Sequence, residues 1–119
     1  MPRNGALFDI EHIDGAHVVR FSHPAVVGPD FITKVRKELA DLIRPGERIK
    51  IVLDLEKAKF LSSEAISMIV ALSNVISPRG GQLHLANLSH ATYAAFDILM
   101  LRGIVRIFGT VRDAIDCFE

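Results

Sequence analysis

The sequence predicts an α/β domain: a mixed, mostly parallel central sheet of about five strands, opened by an N-terminal hairpin and covered by about four helices. Three observations carry this expectation. Two runs rich in Phe, Ile and Val flank Asp14-Gly15, a strong hairpin signal because both turn positions favour positive φ. Residues 49 to 55, IKIVLDL, form the near-continuous apolar run of a strand buried by helices. From there to the C-terminus, helix-period and strand-period segments alternate, as they do where crossovers join parallel strands by right-handed connections.

The elements follow in order. Strands are expected over 7 to 13 and 17 to 22. Gly28-Pro29-Asp30 opens a helix over about 30 to 43, in which Phe31, Val35, Leu39 and Leu42 recur at helical spacing, and Pro45-Gly46 stops it. The strand 49 to 55 places Ile49, Ile51, Leu53 and Leu55 on one face and Val52 on the other. A helix over about 63 to 77 ends at Pro78-Arg79-Gly80-Gly81, and QLHLANL at 82 to 88 is the next strand. Ser89 caps a helix over about 90 to 101, with Arg102 in its last turn and Gly103 just beyond. A short strand at 104 to 108 precedes a helix starting at Thr110, with Asp113 completing a capping-box variant.

Composition bounds the function. The 119 residues carry 14 basic and 14 acidic side chains, for a formal net charge of zero, and 50% of them are hydrophobic. That length suits a single domain, residues 1 to 119, able to bury a core without disulfides or a metal. Neutrality gives no footprint for nucleic acid or an anionic membrane, and no apolar run reaches the roughly 18 residues of a membrane span. The N-terminus, MPRNGALFDIEH, places acidic residues where a signal peptide needs its apolar stretch. The lone Cys117 gives no intramolecular disulfide and is expected to be structural. A soluble, cytoplasmic protein is expected.

The zero sum hides a segregation. Residues 33 to 59 hold thirteen of the charges, whereas residues 60 to 101 hold only Glu64, Arg79 and Asp97. So apolar a stretch is either deeply packed or a docking face.

The common catalytic and phosphate-binding motifs are absent. Gly80-Gly81 follows a helix and precedes a strand, so it reads as a turn and not as a phosphate cradle. His12 and His17 flank the hairpin and can approach each other across it, but spacing signals no third metal ligand. Asp54, in Leu53-Asp54-Leu55, has no second carboxylate placed to pair with it and is expected to accept backbone N–H bonds near a strand end. Neither metal nor cofactor is implied.

The informative segment is Phe60-Leu61-Ser62-Ser63-Glu64-Ala65-Ile66, where a central strand hands over to a helix. Ser62 is a good N-cap, and Glu64 in the first turn is favoured by the helix dipole by about 0.3–1 kcal/mol. A hydrolase using Ser62 or Ser63 would need a positioned base, with His84 and His90 the candidates; the chain is read as not an enzyme.

Together with Ile51-Val52-Leu53-Asp54-Leu55 and Gly81-Gln82-Leu83-His84-Leu85-Ala86-Asn87-Leu88-Ser89, this segment resembles the STAS domain, a family of bacterial anti-sigma factor antagonists and cytoplasmic tails of sulfate-type anion transporters. The resemblance spans about residues 7 to 118. It implies a non-enzymatic regulatory domain whose partner is a kinase-type anti-sigma factor or a related protein. It places the regulatory and partner-binding surface at Phe60, Leu61, Ser62, Ser63, Glu64, Ala65 and Asn87. The family pattern reads F-[LMI]-D-S-S-G-[LI], with the second Ser phosphorylated. Here Ser62 stands for the Asp, Ser63 for the first Ser, Glu64 for the phosphorylated Ser and Ala65 for the Gly. Glu64 thus supplies a permanent charge of about −1 where phosphate would supply about −1.5 to −2. Three outcomes are open: Ser63 or Ser62 is a shifted phosphoacceptor, Glu64 is a fixed phosphomimic, or the domain is a constitutive scaffold that homodimerises. A transporter-derived domain is the alternative setting. Nucleotide binding occurs in the family, and no residue pattern here points to it independently.

Overall fold

A computed structural model describes residues 8–26 and 28–119; the expected strand start at residue 7 lies outside them. The hairpin forms as expected. β1 (Phe8–Ile13) pairs antiparallel with β2 (Ala16–Phe21), His12 opposite His17, across Asp14 and Gly15 at φ 49° and 82°. The main sheet has the order β1-β2-β4-β6-β7, with β4 (Lys50–Asp54), β6 (Gln82–Ala86) and β7 (Arg106–Phe108) parallel to β2. α1 (Pro29–Ala40), α2 (Ser63–Ile76) and α3 (His90–Ile98) are joined by a short C-terminal α4 (Val111–Asp116).

Alternation along the strands separates two cores. Val19, Phe21, Ile51, Leu53, Leu55, Leu83 and Leu85 face Ile32, Val35 and Leu39 of α1, Ile66 and Ile69 of α2 and Phe96 of α3. On the other face Ala16, Val18, Val52 and Ala86 pack with Ala114 and Ile115 of α4, with Ile13, Phe108, Val111 and Phe118 at the margin. The apolar stretch 60 to 101 is therefore largely core-facing helix and strand, although its helices keep exposed apolar positions.

Several details depart from the sequence reading. A second, two-stranded parallel sheet is formed by β3 (Ala25–Val26) and β5 (Phe60–Leu61); strands this short have no periodicity to read. α1 stops at Ala40, because Leu42 and Ile43 donate to Leu39 and Ala40 in tighter, three-residue turns ahead of Pro45. α3 stops at Ile98, and its end is not made by Gly103. Met100 takes the left-handed position at φ 58°, with Leu101 N donating to Phe96 O at 2.9 Å and Met100 N to Asp97 O at 3.1 Å. These two bonds are a Schellman cap. The residues after it turn again before Arg106, which shortens the expected strand at 104 to 108 to three residues.

The glycine pair is a turn, as read. Gly80 takes φ 80°, and a Cβ on Gly81 would come within 2.9 Å of Ile76 Cβ and 3.0 Å of Ile76 O, so α2 and β6 close together only over glycine. Cys117 is exposed at the C-terminal cap of α4, contrary to the expected structural position; a cap residue on a short helix has nothing packed over it. No helix among the described residues is long and apolar enough to cross a membrane.

The α4 face contains a buried histidine. His84, 1% exposed, stacks on Phe118 at 4.1 Å between ring centroids and lies 4.8 Å from Phe108. Its Nδ1 is 2.8 Å from Ala114 O; a carbonyl only accepts, so Nδ1 carries the proton and the buried Nε2 has no partner. Burial lowers its pKa, a pull only partly opposed by the Ala114 bond, and burial and His12 lower that of the stacked His17. With folded pKa values below the ordinary 6.5, the unfolded chain binds more protons, so stability is full above about pH 6.5 and falls as pH drops below it. Urea midpoints are expected to decline from pH 7.5 to 5.5, and a His84→Gln variant should show a shallower decline.

Candidate functional site

The site forms where β4 ends. Asp54 closes that strand and is 8% exposed. Its Oδ1 accepts from Glu56 N at 3.1 Å, the backbone bond expected at a strand end. It also accepts from Asn87 Nδ2 at 3.0 Å, and its Oδ2 lies 3.3 Å from Arg20 Nε. Arg20 is held in turn by Glu11. The ends of β2, β4 and β6 are thus joined through one carboxylate. Asn87 reaches it from a left-handed backbone, φ 61°, which asparagine tolerates better than most residues.

A second link sets the following loop. Ser89 Oγ caps α3, accepting from Thr92 N at 3.2 Å, and lies 3.1 Å from Lys59 O, immediately before β5. Phe60 N donates to Pro24 O at 2.9 Å, so β5 is tied to β3 as well. Ser62 then starts α2 from an extended backbone, φ −70° and ψ 164°, its Oγ accepting from Ala65 N at 3.1 Å. By helix geometry the N–H groups of Ser63 and Glu64 have no intrahelical acceptor. Both residues are exposed.

The structure sorts the seven candidate residues. Phe60, 57% exposed, presents a large apolar ring beside the polar Ser63 and Glu64. Ser62 is half-buried and committed to the cap. Leu61 and Ala65 face the core, where they anchor the strand and first helical turn. Asn87 sits behind the surface, bonded to Asp54. Sequence reasoning missed Arg20 and the bond from Ser89 to Lys59; both depend on which strand ends lie side by side, which spacing within one segment does not reveal.

His84 lies on the α4 face, opposite α2, so it cannot serve Ser62 or Ser63 as a base. His12 and His17 do meet across the hairpin, their rings stacked at 4.6 Å. Among the described residues no three His, Cys, Asp or Glu side chains converge as a metal site.

Comparison with known proteins agrees with this architecture. Among solved structures, an anti-sigma-factor antagonist STAS domain protein from Planctomyces limnophilus superposes with TM-score 0.80 at 17% identity, covering 94% of this chain and 97% of that one. The anti-sigma factor antagonist SpoIIAA in its unphosphorylated form gives TM-score 0.75 at 18% identity, over 92% and 93%. The murine anion transporter Slc26a9 gives TM-score 0.70 at 19% identity, over 88% of this chain and 18% of that one. No curated protein matches significantly. The STAS domain model matches residues 8–114. With that match over most of its length, the chain belongs to the STAS domain family.

Proposed function

We propose that this chain is a non-enzymatic regulator of the anti-sigma factor antagonist type, acting in the cytoplasm and docking a kinase-type anti-sigma factor or related protein on the start of α2. The carrying observation is the surface that the Asp54 and Ser89 links hold in place: exposed Phe60, then Ser63 and Glu64 on a capped helix start. Glu64 occupies the family's phosphoserine position and is a fixed negative charge there. Ser63 is the exposed hydroxyl left for a kinase, since Ser62 Oγ already serves the cap.

The test uses a kinase-type anti-sigma factor from the same organism as this chain. A Glu64→Ser variant is expected to bind it about tenfold more tightly, roughly 1.4 kcal/mol, measured by calorimetry. Unchanged binding removes the phosphomimic role. The alternative, a shifted switch, predicts phosphate on Ser63 after incubation with that kinase and ATP, and mass spectrometry without phosphate at either serine removes it.

The likeness to Slc26a9 supports a second reading, a domain of an anion transporter. Recovery of the native gene product with membranes would favour it.

A further inference from the structure

Five of the seven large hydrophobic side chains exposed on the described surface fall within one segment: Tyr93, Ile98, Leu99, Met100 and Ile104. Exposed apolar residues are ordinary when scattered and informative when clustered. The Schellman cap of α3 places Met100, 83% exposed, in a left-handed backbone that glycine would occupy at lower cost. Local folding alone therefore favours glycine there, yet the position holds a long apolar side chain turned to solvent.

Beside this segment runs the free edge of the sheet. β7 is last in the strand order and has no outer partner among the described residues. Phe108 O accepts from Asn87 N on the β6 side. Alternation along a strand then turns the N–H and C=O of Ile107 away from β6, to the open edge. A groove of about 670 Å³ is lined by Tyr93, Met100 and Arg102 and by all three residues of β7. Successive strand residues point to opposite faces, so a groove touching all three follows the edge itself.

Asp97 lines the groove together with Arg102 and Arg106, so one cation is left over. Arg102 is bonded to Asp97 at 3.2 Å, whereas Arg106 has no ion pair among the described residues and lies over the Phe108 ring at 5.2 Å. We propose that this groove docks an extended acidic peptide segment of another protein, added to the sheet as a strand beside β7. Ile107 supplies the backbone donor and acceptor, Met100, Tyr93 and Phe108 the apolar contacts, and Arg106 the cation for a carboxylate. A second copy of this chain fits less well, because a twofold contact would bring the two Arg106 side chains together with no added carboxylate to pair them. The groove shares no residue with the start of α2, so the proposal does not depend on the function proposed above.

The probe is a short peptide alternating glutamate with valine, titrated into the full chain and followed by amide NMR. Binding is expected with Kd on the order of 10⁻⁴ M, with shifts concentrated in residues 93–108 and slowed exchange of the Ile107 N–H. The lysine-for-glutamate peptide should bind at least about tenfold more weakly, and Arg106→Glu should reverse that preference. Met100→Gly should weaken binding while leaving the urea midpoint unchanged or raised, because glycine suits the left-handed position. Equal binding of both peptides, shifts centred elsewhere, no saturation by about 1 mM, or a peptide-free dimer that buries the groove would each overturn the proposal.

Discussion

A Phe96→Ala variant is expected to lose about 3–5 kcal/mol of folding stability, the usual cost of removing a fully buried aromatic side chain. Phe96 is completely buried, and with Thr92 it is one of only two buried residues on α3. The other helices on that face hold several anchors: Ile32, Val35 and Leu39 on α1, and six buried residues on α2. The cavity left in α3 has little else to hold the helix while neighbours relax. A domain stable by about 5–15 kcal/mol would survive in weakened form, so a urea titration should show a lower midpoint with unchanged slope. α3 begins with Ser89, whose hydroxyl lies against Lys59 O, so loosening the helix should also raise amide exchange in β5 and the first turn of α2. A loss under about 1 kcal/mol would mean that the sheet and Leu101 refill the space, contrary to this account.

How much of this was legible in the sequence depends on the range of the signal. Asp14-Gly15 and the Ser62, Ser89 and Thr110 caps act within a few residues, and each appears where its chemistry placed it. The sheet's parallel strands follow from alternation of elements. Helix ends were less legible where a less common residue made the cap. Met100 carries the left-handed turn that Gly103 advertised, because the two bonds to Phe96 and Asp97 close there and the chain must turn early to bring Val105 into the core. β3 and β5 were invisible because two-residue strands exist only through each other. The site was legible as a segment and not as an assembly. Phe60 to Ala65 stood out, but the Asp54 network needs the register of three strands, and Arg20 acquires meaning only beside Asp54.

That network sets the second large effect. Asp54→Ala is expected to cost about 2–4 kcal/mol, because it strands Asn87 Nδ2, Glu56 N and the inner side of Arg20 without their shared acceptor. Asp54→Asn should cost less, keeping an oxygen for Asn87 and Glu56 while turning an amide N–H toward Arg20. The partner variant is Asn87→Gly, since glycine tolerates φ 61° and the substitution removes the amide without adding backbone strain. In a double-mutant cycle the two changes should couple by about 1–2 kcal/mol; additivity would show that the hydrogen bond stabilises nothing by itself. The same variants separate scaffold from surface. Neither Asp54 nor Asn87 is fully exposed, so their route to a partner runs through the placement of Phe60, Ser63 and Glu64. Asp54→Ala should therefore weaken partner binding even well below its unfolding midpoint, whereas Ser63→Ala should alter binding or phosphorylation without moving that midpoint. If Asp54→Ala binds as wild type while still folded, the strand-end network serves stability alone, and the start of α2 is positioned by its Ser62 cap and β3 pairing.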